Sequence, residues 1–176
     1  MNGVLVIDKP AGMTSFDVIR RVRRMVKTRR VGHAGTLDPM ATGVLPVAVG
    51  TATRLIEYLM AGDKTYRAGL KLGSATDTQD STGQILEIKP WQSVDRPAIE
   101  AVVEHLLGEI DQLPPMYSAL KKDGQPLYRL ARQGIEVERE PRKVVVKSLV
   151  IDEFSAPDLT FTVQCSKGTY VRTLCH

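Results

Sequence analysis

The chain has 176 residues, 43% of them hydrophobic, with 24 Lys and Arg against 20 Asp and Glu and only two cysteines. That length suffices for one sizeable core, or a core plus a small lobe. No apolar run approaches the roughly 20 residues that cross a bilayer, the N-terminal MNGVLVIDKP has no basic stretch ahead of a long apolar one, and Cys165 and Cys175 form no CxxC pair. The expectation is a soluble, cytoplasmic chain with no signal peptide, membrane partner or disulfide framework.

In chain order, GVLVI (3–7) predicts a short buried strand. Thr14 or Ser15 can cap a helix running to about Lys27, with Phe16, Ile19, Val22 and Val26 as its apolar face and Arg20, Arg24 and Lys27 on another stripe. The segment 20–30, RRVRRMVKTRR, holds seven Lys or Arg and no acid, so the remaining 17 bases face all 20 acids. The basic character is thus local. A solvated helix face is the ordinary reading of such a run, but with no i,i+4 counter-charge inside it the run repels itself, which favours a phosphate backbone as partner.

A Gly-rich loop over 29–43 comes next, then a strand over 44–49 and a threonine-capped helix over 51–60 that stops before Gly62. A strand over 64–73, a polar loop over 74–83 and a returning strand, QILEIKP, follow. Residues 93–108 predict a helix with Asp95 as N-cap, Pro97 in the first turn and Gly108 at the end. Residues 112–126 are irregular with a turn at Asp123-Gly124, and 126–134 is a short helix. A strand over 143–153 precedes 159–165, where Leu159, Phe161, Val163 and Cys165 alternate with polar residues. Strands and helices interleave without a regular βαβ beat, so the expected class is α+β with a mixed sheet.

The loop GHAGTLDPMATG (32–43) sets one Asp among small and apolar residues. Gly32, Gly35 and Gly43 imply a shaped loop. Pro39 pushes Asp38 toward extended backbone. On these residues alone an Asx turn before proline is the commoner explanation, because turn Asp residues greatly outnumber catalytic ones. Other chemistries fit poorly. The loop lacks the Lys of a P-loop. His33, His105 and His176 are scattered with no metal-ligand spacing. In DTQDSTG (77–83) the Gly stands one position late for a calcium loop and Ile88 replaces the closing Glu. No GxSxG or Cys–His arrangement supports a hydrolase.

The blocks NGVLVIDKPAGMTS, RRVGHAGTLDPMATGVLPVAVGTATRL, DKTYRAGLKLG, TDTQDSTG, PPMYSALK and CSKGTYVRTL occur in order from residue 2 to 174. Together they resemble the bacterial tRNA pseudouridine-55 synthase family, TruB. The resemblance implies a pseudouridine synthase fold, with a mixed, mostly antiparallel sheet flanked by helices. The implied activity is isomerisation of uridine 55 in the T-loop of tRNA: the uracil leaves C1′ of its ribose and returns through C5. No oxidant, metal or water is consumed, so no cofactor is expected. The implied partner is the T-arm stem-loop of tRNA, bound by a monomer.

By the same resemblance Asp38 is the catalytic carboxylate, attacking C1′ or C6 or stabilising a glycal-like intermediate. A shielded carboxylate needs a fixed cation to stay ionised, and Arg172 matches the family arginine that pairs with it. Tyr66 matches the tyrosine beside the target base, with Tyr170 lining the same pocket. The base must be extruded, and His33 matches a histidine near the vacancy. Asp80 aligns with an acid near the Asp–Arg pair. Lys9 and Lys121 match lysines that support the site or hold phosphates, and Arg20, Arg24 and Lys27 grip the backbone. Relatives continue beyond RTLCH, so residues 1–176 are expected to be a catalytic domain incomplete at its C-terminus. The alternatives are a non-catalytic RNA-binding or tRNA-folding module, and a related synthase acting on another RNA.

Overall fold

The computed structural model describes residues 1–176, which divide into two units, Met1–Gly62 and Asp63–His176. In the first unit, β1 (Gly3–Lys9), α1 (Ser15–Val26), β2 (Val31–His33) and β3 (Gly43–Val49) are followed by a 3-10 segment, Gly50–Leu55, and α2 (Ile56–Ala61). The strands form one antiparallel sheet in the order β1-β3-β2. Thr14 caps α1 reciprocally: its side chain accepts from the Asp17 N–H, and the Asp17 carboxylate accepts from the Thr14 N–H at 2.9 Å. The two bonds satisfy donors that a helix start leaves open.

The core of this unit is Val18, Ile19 and Val22 of α1 against Val31, Leu45, Val47 and Val49. Phe16, expected on that face, is 54% exposed. Residues 15, 18, 19, 22 and 26 keep the helical i, i+3, i+4, i+7 spacing, and Val18 fills the place assigned to Phe16. The expected helix over 51–60 is a 3-10 segment for its first half. No Thr51 side chain caps it. Instead Asn2 Oδ1 accepts from the Thr51 N–H at 2.8 Å and Thr53 Oγ1 donates to the Gly50 carbonyl at 2.8 Å. The loop over 29–43 contains β2, whose strand pairing with β3 the period-two pattern is too short to reveal.

The second unit runs β4 (Lys64–Lys71), β5 (Ser74–Thr76), β6 (Ile85–Ile88), α3 (Arg96–Leu106), β7 (Gly108–Gln112), β8 (Lys121–Lys122), β9 (Gln125–Pro126), α4 (Leu127–Ala131), β10 (Arg142–Ser155), β11 (Asp158–Cys165) and α5 (Val171–Cys175). Its main sheet has the order β4-β11-β10-β7, and β5-β6 and β8-β9 form two small hairpins. Every pairing is antiparallel, where a mixed sheet is expected from the interleaved elements. Asp95 caps α3 as anticipated, accepting from the Ala98 N–H at 2.9 Å. Gly108 is not a helix end but the first residue of β7, at φ 87°.

The alternation over 159–165 holds. Leu159, Phe161, Val163 and Cys165 are all buried, each large apolar side chain contributing roughly 1.5–3 kcal/mol. Val171, Leu174 and Cys175 of α5 pack on this cluster with Tyr66, Ala68 and Leu70 of β4. Within β10 the register slips twice, at Lys147 and at Asp152. Those two residues reach across to the β4 segment, Lys147 Nζ to Asp63 at 2.5 Å and Asp152 to Arg67 Nε at 3.4 Å. No helix is long and apolar enough to cross a membrane.

Candidate active site

The Asp38 loop in the first unit is held by the turn between β1 and α1. Gly12 N–H donates to the Pro39 carbonyl at 2.8 Å. Ser15 Oγ accepts from the Leu37 N–H at 3.0 Å and donates to the Leu37 carbonyl at 3.3 Å. Lys9 is fully buried, and its ammonium donates to the carbonyls of Met13 (2.7 Å), Pro10 (3.0 Å) and Pro39 (3.3 Å). The residues on both sides of Asp38 are thus fixed through their backbones. Asp38 itself is half-buried, and its carbonyl closes a turn by accepting from the Ala41 N–H at 3.1 Å. Gly35 and Gly43 bracket the loop at φ 127° and 116°, backbone that residues with a Cβ rarely adopt.

Burial pushes the Lys9 ammonium below its ordinary pKa, and the negative charge of Asp38 opposes that shift. Lys9 is therefore a buried support under the carboxylate loop, out of reach of RNA phosphates. His33, at the end of β2, is half-buried with Nδ1 against the Gly35 carbonyl. A carbonyl only accepts, so Nδ1 carries the proton and Nε2 is left for other partners.

The basic stripe is less uniform than its sequence suggests. The expectation that nothing relieves it fails at its first residue, because Asp17 pairs with Arg20 from one turn before. Hydrogen bonds from Thr14 and then Arg20 hold the Asp17 carboxyl well below the usual range. Arg23 donates to the Val31 carbonyl at 3.1 Å and Arg30 Nε to Thr53 Oγ1 at 3.1 Å, so both brace the fold. Arg24 and Lys27 are exposed, and Lys27 ends α1 in the left-handed conformation, φ 49°. Arg20 and Arg23 both lie over the exposed Phe16 ring, 5.9 and 5.7 Å from its centroid.

In the second unit the sheet presents α5 with Val171, Leu174 and Cys175 inward, which turns Arg172 toward the β5-β6 connection. Arg172 Nη2 donates to the Tyr117 carbonyl at 2.6 Å and Nη1 to the Thr78 carbonyl at 3.3 Å. Asp80 Oδ2 lies 3.7 Å from Nη1, and both side chains are nearly buried. Asp80 also accepts from the Thr82 N–H (2.9 Å), Thr82 Oγ1 (2.6 Å) and Thr78 Oγ1 (2.8 Å). Burial raises its pKa, but the Thr82 and Thr78 hydrogen bonds and the Arg172 charge outweigh that, so it stays below the ordinary carboxylate value. Thr173 Oγ1 donates to Gln79 Oε1 at 2.7 Å, tying the same loop to α5 a second time.

Tyr66 is half-buried on β4 opposite Val163 and packs against the sheet core. Tyr170 precedes α5, and the Arg172 guanidinium sits 5.8 Å from its ring centroid. Asp80, Arg172 and Tyr170 are therefore neighbours, while Lys121 stands exposed on the β8-β9 hairpin. Sequence reading missed Ser15 as a loop anchor, Thr78, Thr82 and Tyr117 as partners of the Asp80–Arg172 pair, and Gln112, which grips Tyr170. Ser15 left a signal in DKPAGMTS, and Thr78 and Thr82 stand two residues to either side of Asp80 in TDTQDSTG. Tyr117 and Gln112 act across 55 and 58 residues. No three His, Cys, Asp or Glu side chains converge in a way that could hold a metal ion.

The model of the TruB family pseudouridylate synthase N-terminal domain matches residues 23–171. The chain belongs to this family. This TruB-family chain is 56% identical over 176 residues to the tRNA pseudouridine synthase B of Syntrophotalea carbinolica and to that of Geobacter sulfurreducens, spanning 58% of each. It is 49% identical to the one from Clostridium acetobutylicum, spanning 61% of it. Among solved structures it is similar to a chain of a Cbf5-Nop10-Gar1 complex, at 31% identity and TM-score 0.72, covering 99% of this chain and 42% of that one. A chain of an H/ACA RNP bound to a substrate RNA containing 2'-deoxyuridine matches at 28% identity and TM-score 0.68, covering 99% and 41%. The TruB resemblance and the α+β class expected from sequence both hold.

Proposed function

We propose that residues 1–176 form most of one catalytic domain that converts a uridine of the tRNA T-arm to pseudouridine, as a cytoplasmic monomer with no cofactor or metal. The observation that carries this reading is the 56% identity over all 176 residues to relatives named tRNA pseudouridine synthase B. The geometry supports it in two halves. One unit pins a carboxylate loop by three backbone anchors, as a nucleophile that must meet a sugar or base at a fixed angle requires. The other sets a nearly buried guanidinium among carbonyls and one carboxylate, and a guanidinium stays charged when shielded.

In this reading Asp38 forms the covalent or ion-pair intermediate while the uracil detaches from C1′. Arg172 keeps Asp38 ionised. Asp80 orients Arg172. Tyr66 stacks on the uracil, and its hydroxyl helps remove the C5 proton after reattachment. Tyr170 lines the pocket. His33 stacks in the space left by the extruded nucleotide, which costs a few kcal/mol to flip. Arg24, Lys27 and Lys121 contact phosphates, and Arg20 contributes less because Asp17 already neutralises it. Lys9 holds the loop.

The test is pseudouridine quantification by mass-shift labelling on a T-arm stem-loop. Asp38→Asn is expected to abolish conversion while RNA binding is retained. Conversion by the Asn variant at the wild-type rate removes Asp38 from the chemistry. The similarity to chains from Cbf5 and H/ACA complexes favours one second reading, a synthase whose substrate is presented by other components. Conversion of a bare T-arm stem-loop by the purified protein excludes it.

A further inference from the structure

We propose that Gln112 is a positioning residue for this reaction, fixing the Arg172 guanidinium through the backbone of Tyr170. The inference rests on the role assigned above to Arg172. Gln112 is the last residue of β7 and 5% exposed. Its amide spends both of its ends on one residue 58 positions away. Oε1 accepts from the Tyr170 N–H at 2.7 Å, and Nε2 donates to the Tyr170 carbonyl at 3.1 Å. That pattern is what a neighbouring strand would supply, delivered here by a side chain.

Tyr170 is where such a clamp has leverage. It stands at the N-cap of α5 in extended backbone, φ −97° and ψ 105°, with no side-chain cap. Its carbonyl also accepts from the Thr173 N–H at 3.1 Å and the Leu174 N–H at 3.2 Å, so it begins the helix. A helix of five residues has no stability of its own. α5 keeps its place through Val171, Leu174 and Cys175 on the sheet and through Gln112 at its start. Arg172 is two residues beyond the clamp. The segment that follows Gln112 then returns to Arg172 directly, with the Tyr117 carbonyl on Nη2 at 2.6 Å. One stretch of chain, 112–117, therefore holds both the backbone that launches Arg172 and the guanidinium at its tip. Among uncharged side chains of this reach, an amide alone offers a donor and an acceptor side by side; Asn is one methylene short.

The experiment is steady-state conversion of a T-arm stem-loop by the full-length protein carrying Gln112→Met or Gln112→Glu, beside Arg172→Ala. Methionine keeps the stem and loses both bonds. Its kcat is expected to fall on the order of 10- to 100-fold, the scale of a misplacement near 1 Å, with KM within about twofold. The glutamate variant separates positioning from folding. A neutral carboxylic acid has an O–H donor and a carbonyl acceptor, as the amide does. Ionised, it only accepts and faces the Tyr170 carbonyl. The activity of Gln112→Glu relative to wild type therefore rises as pH falls, and burial sets that rise above the usual carboxylate range. A ratio that does not change with pH, or a Met variant with wild-type kcat beside an inactive Arg172→Ala, overturns the inference. If Gln112→Met is unfolded at assay temperature, the pH ratio of the Glu variant alone decides. Wild-type turnover by Arg172→Ala overturns the role of Arg172 instead, and the positioning role with it.

Discussion

Replacing Lys9 with methionine tests how the Asp38 loop is held. Methionine matches the length of the stem but strands the carbonyls that the ammonium serves. Two of the three bonds have good length, 2.7 Å to Met13 and 3.0 Å to Pro10, and the third, to Pro39, is long at 3.3 Å. A buried carbonyl left without a donor costs about 1–3 kcal/mol, so two of them cost about 2–6. Removing the ammonium also removes the penalty of keeping an ion from water, which is several kcal/mol. With that penalty taken as about 3 kcal/mol, the net loss is at most about 3 kcal/mol. For a chain of this size each kcal/mol moves the melting temperature by about 2–4 °C, so the drop is at most about 12 °C.

Activity should fall further than stability, on the order of 10-fold, because Pro39 adjoins Asp38 and small displacements at a reacting group are costly. The pH dependence has a defined sign. Burial lowers the folded-state pKa of Lys9 below 10.5, with Asp38 partly restoring it. Between those two values the unfolded chain binds more protons at this residue, so stability from Lys9 rises with pH. Methionine has no such dependence, and the gap in melting temperature between wild type and variant widens toward pH 10. Calorimetry across pH 7–10 and a single-turnover assay on a T-arm stem-loop measure both effects. A variant that melts with the wild type and converts at its rate, or a gap that narrows as pH rises, refutes the argument.

Two further outcomes follow from the surface and the thiols. Reversing Arg24 and Lys27 to Glu should weaken RNA binding and cut the salt slope of log Kd by about 1 per lost phosphate contact, while Arg20→Glu changes it less because Asp17 already occupies that guanidinium; equal slopes across all three, by titration at several salt concentrations, would return the stripe to an ordinary solvated face. Burial pushes the Cys175 thiol up to about 11, so at pH 8 its alkylation should be on the order of 100-fold slower than that of a free cysteine, whose pKa is about 8.5. Mass spectrometry of iodoacetamide-treated native protein reads this directly, and labelling at the free-thiol rate would show that α5 does not stay packed on the sheet.

What was legible in sequence was what repeats along the chain. The alternation at Leu159, Phe161, Val163 and Cys165 gave β11 and its buried face, and Asp95 with Pro97 gave the start of α3. Phe16 was misplaced because spacing admits two faces at a helix start, and the core chose the one centred on Ile19. Gly108 read as a stop because a glycine after an apolar helix usually is one, although here it opens β7. The candidate residues Asp38, Asp80, Arg172 and Tyr66 came from long motif blocks rather than from any physical pattern. The clamps around them did not come at all. A carbonyl on Arg172 from Tyr117, or an amide on Tyr170 from Gln112, joins segments 55 and 58 residues apart, and no local rule links such positions.

The double slip in β10 bears on how this strand can change length. The inward positions are Val144 and Val146, then Leu149 and Ile151, then Phe154, so odd and even numbering trade places at Lys147 and back again at Asp152. On β11 the partners run without a gap, Cys165 then Gln164 beside the first slip and Phe161 then Thr160 beside the second. Excising either slipped residue would leave a straight ribbon with every apolar side chain still facing home, at the expense of one charged contact to the β4 segment. Excising the outward neighbour, Ser148 or Glu153, has the same effect on register, because the slipped residue then takes the vacated place. Excising Val150, between the slips, would turn Ile151 outward. Codon-level shortening of β10 is therefore tolerable at the two slips and not between them.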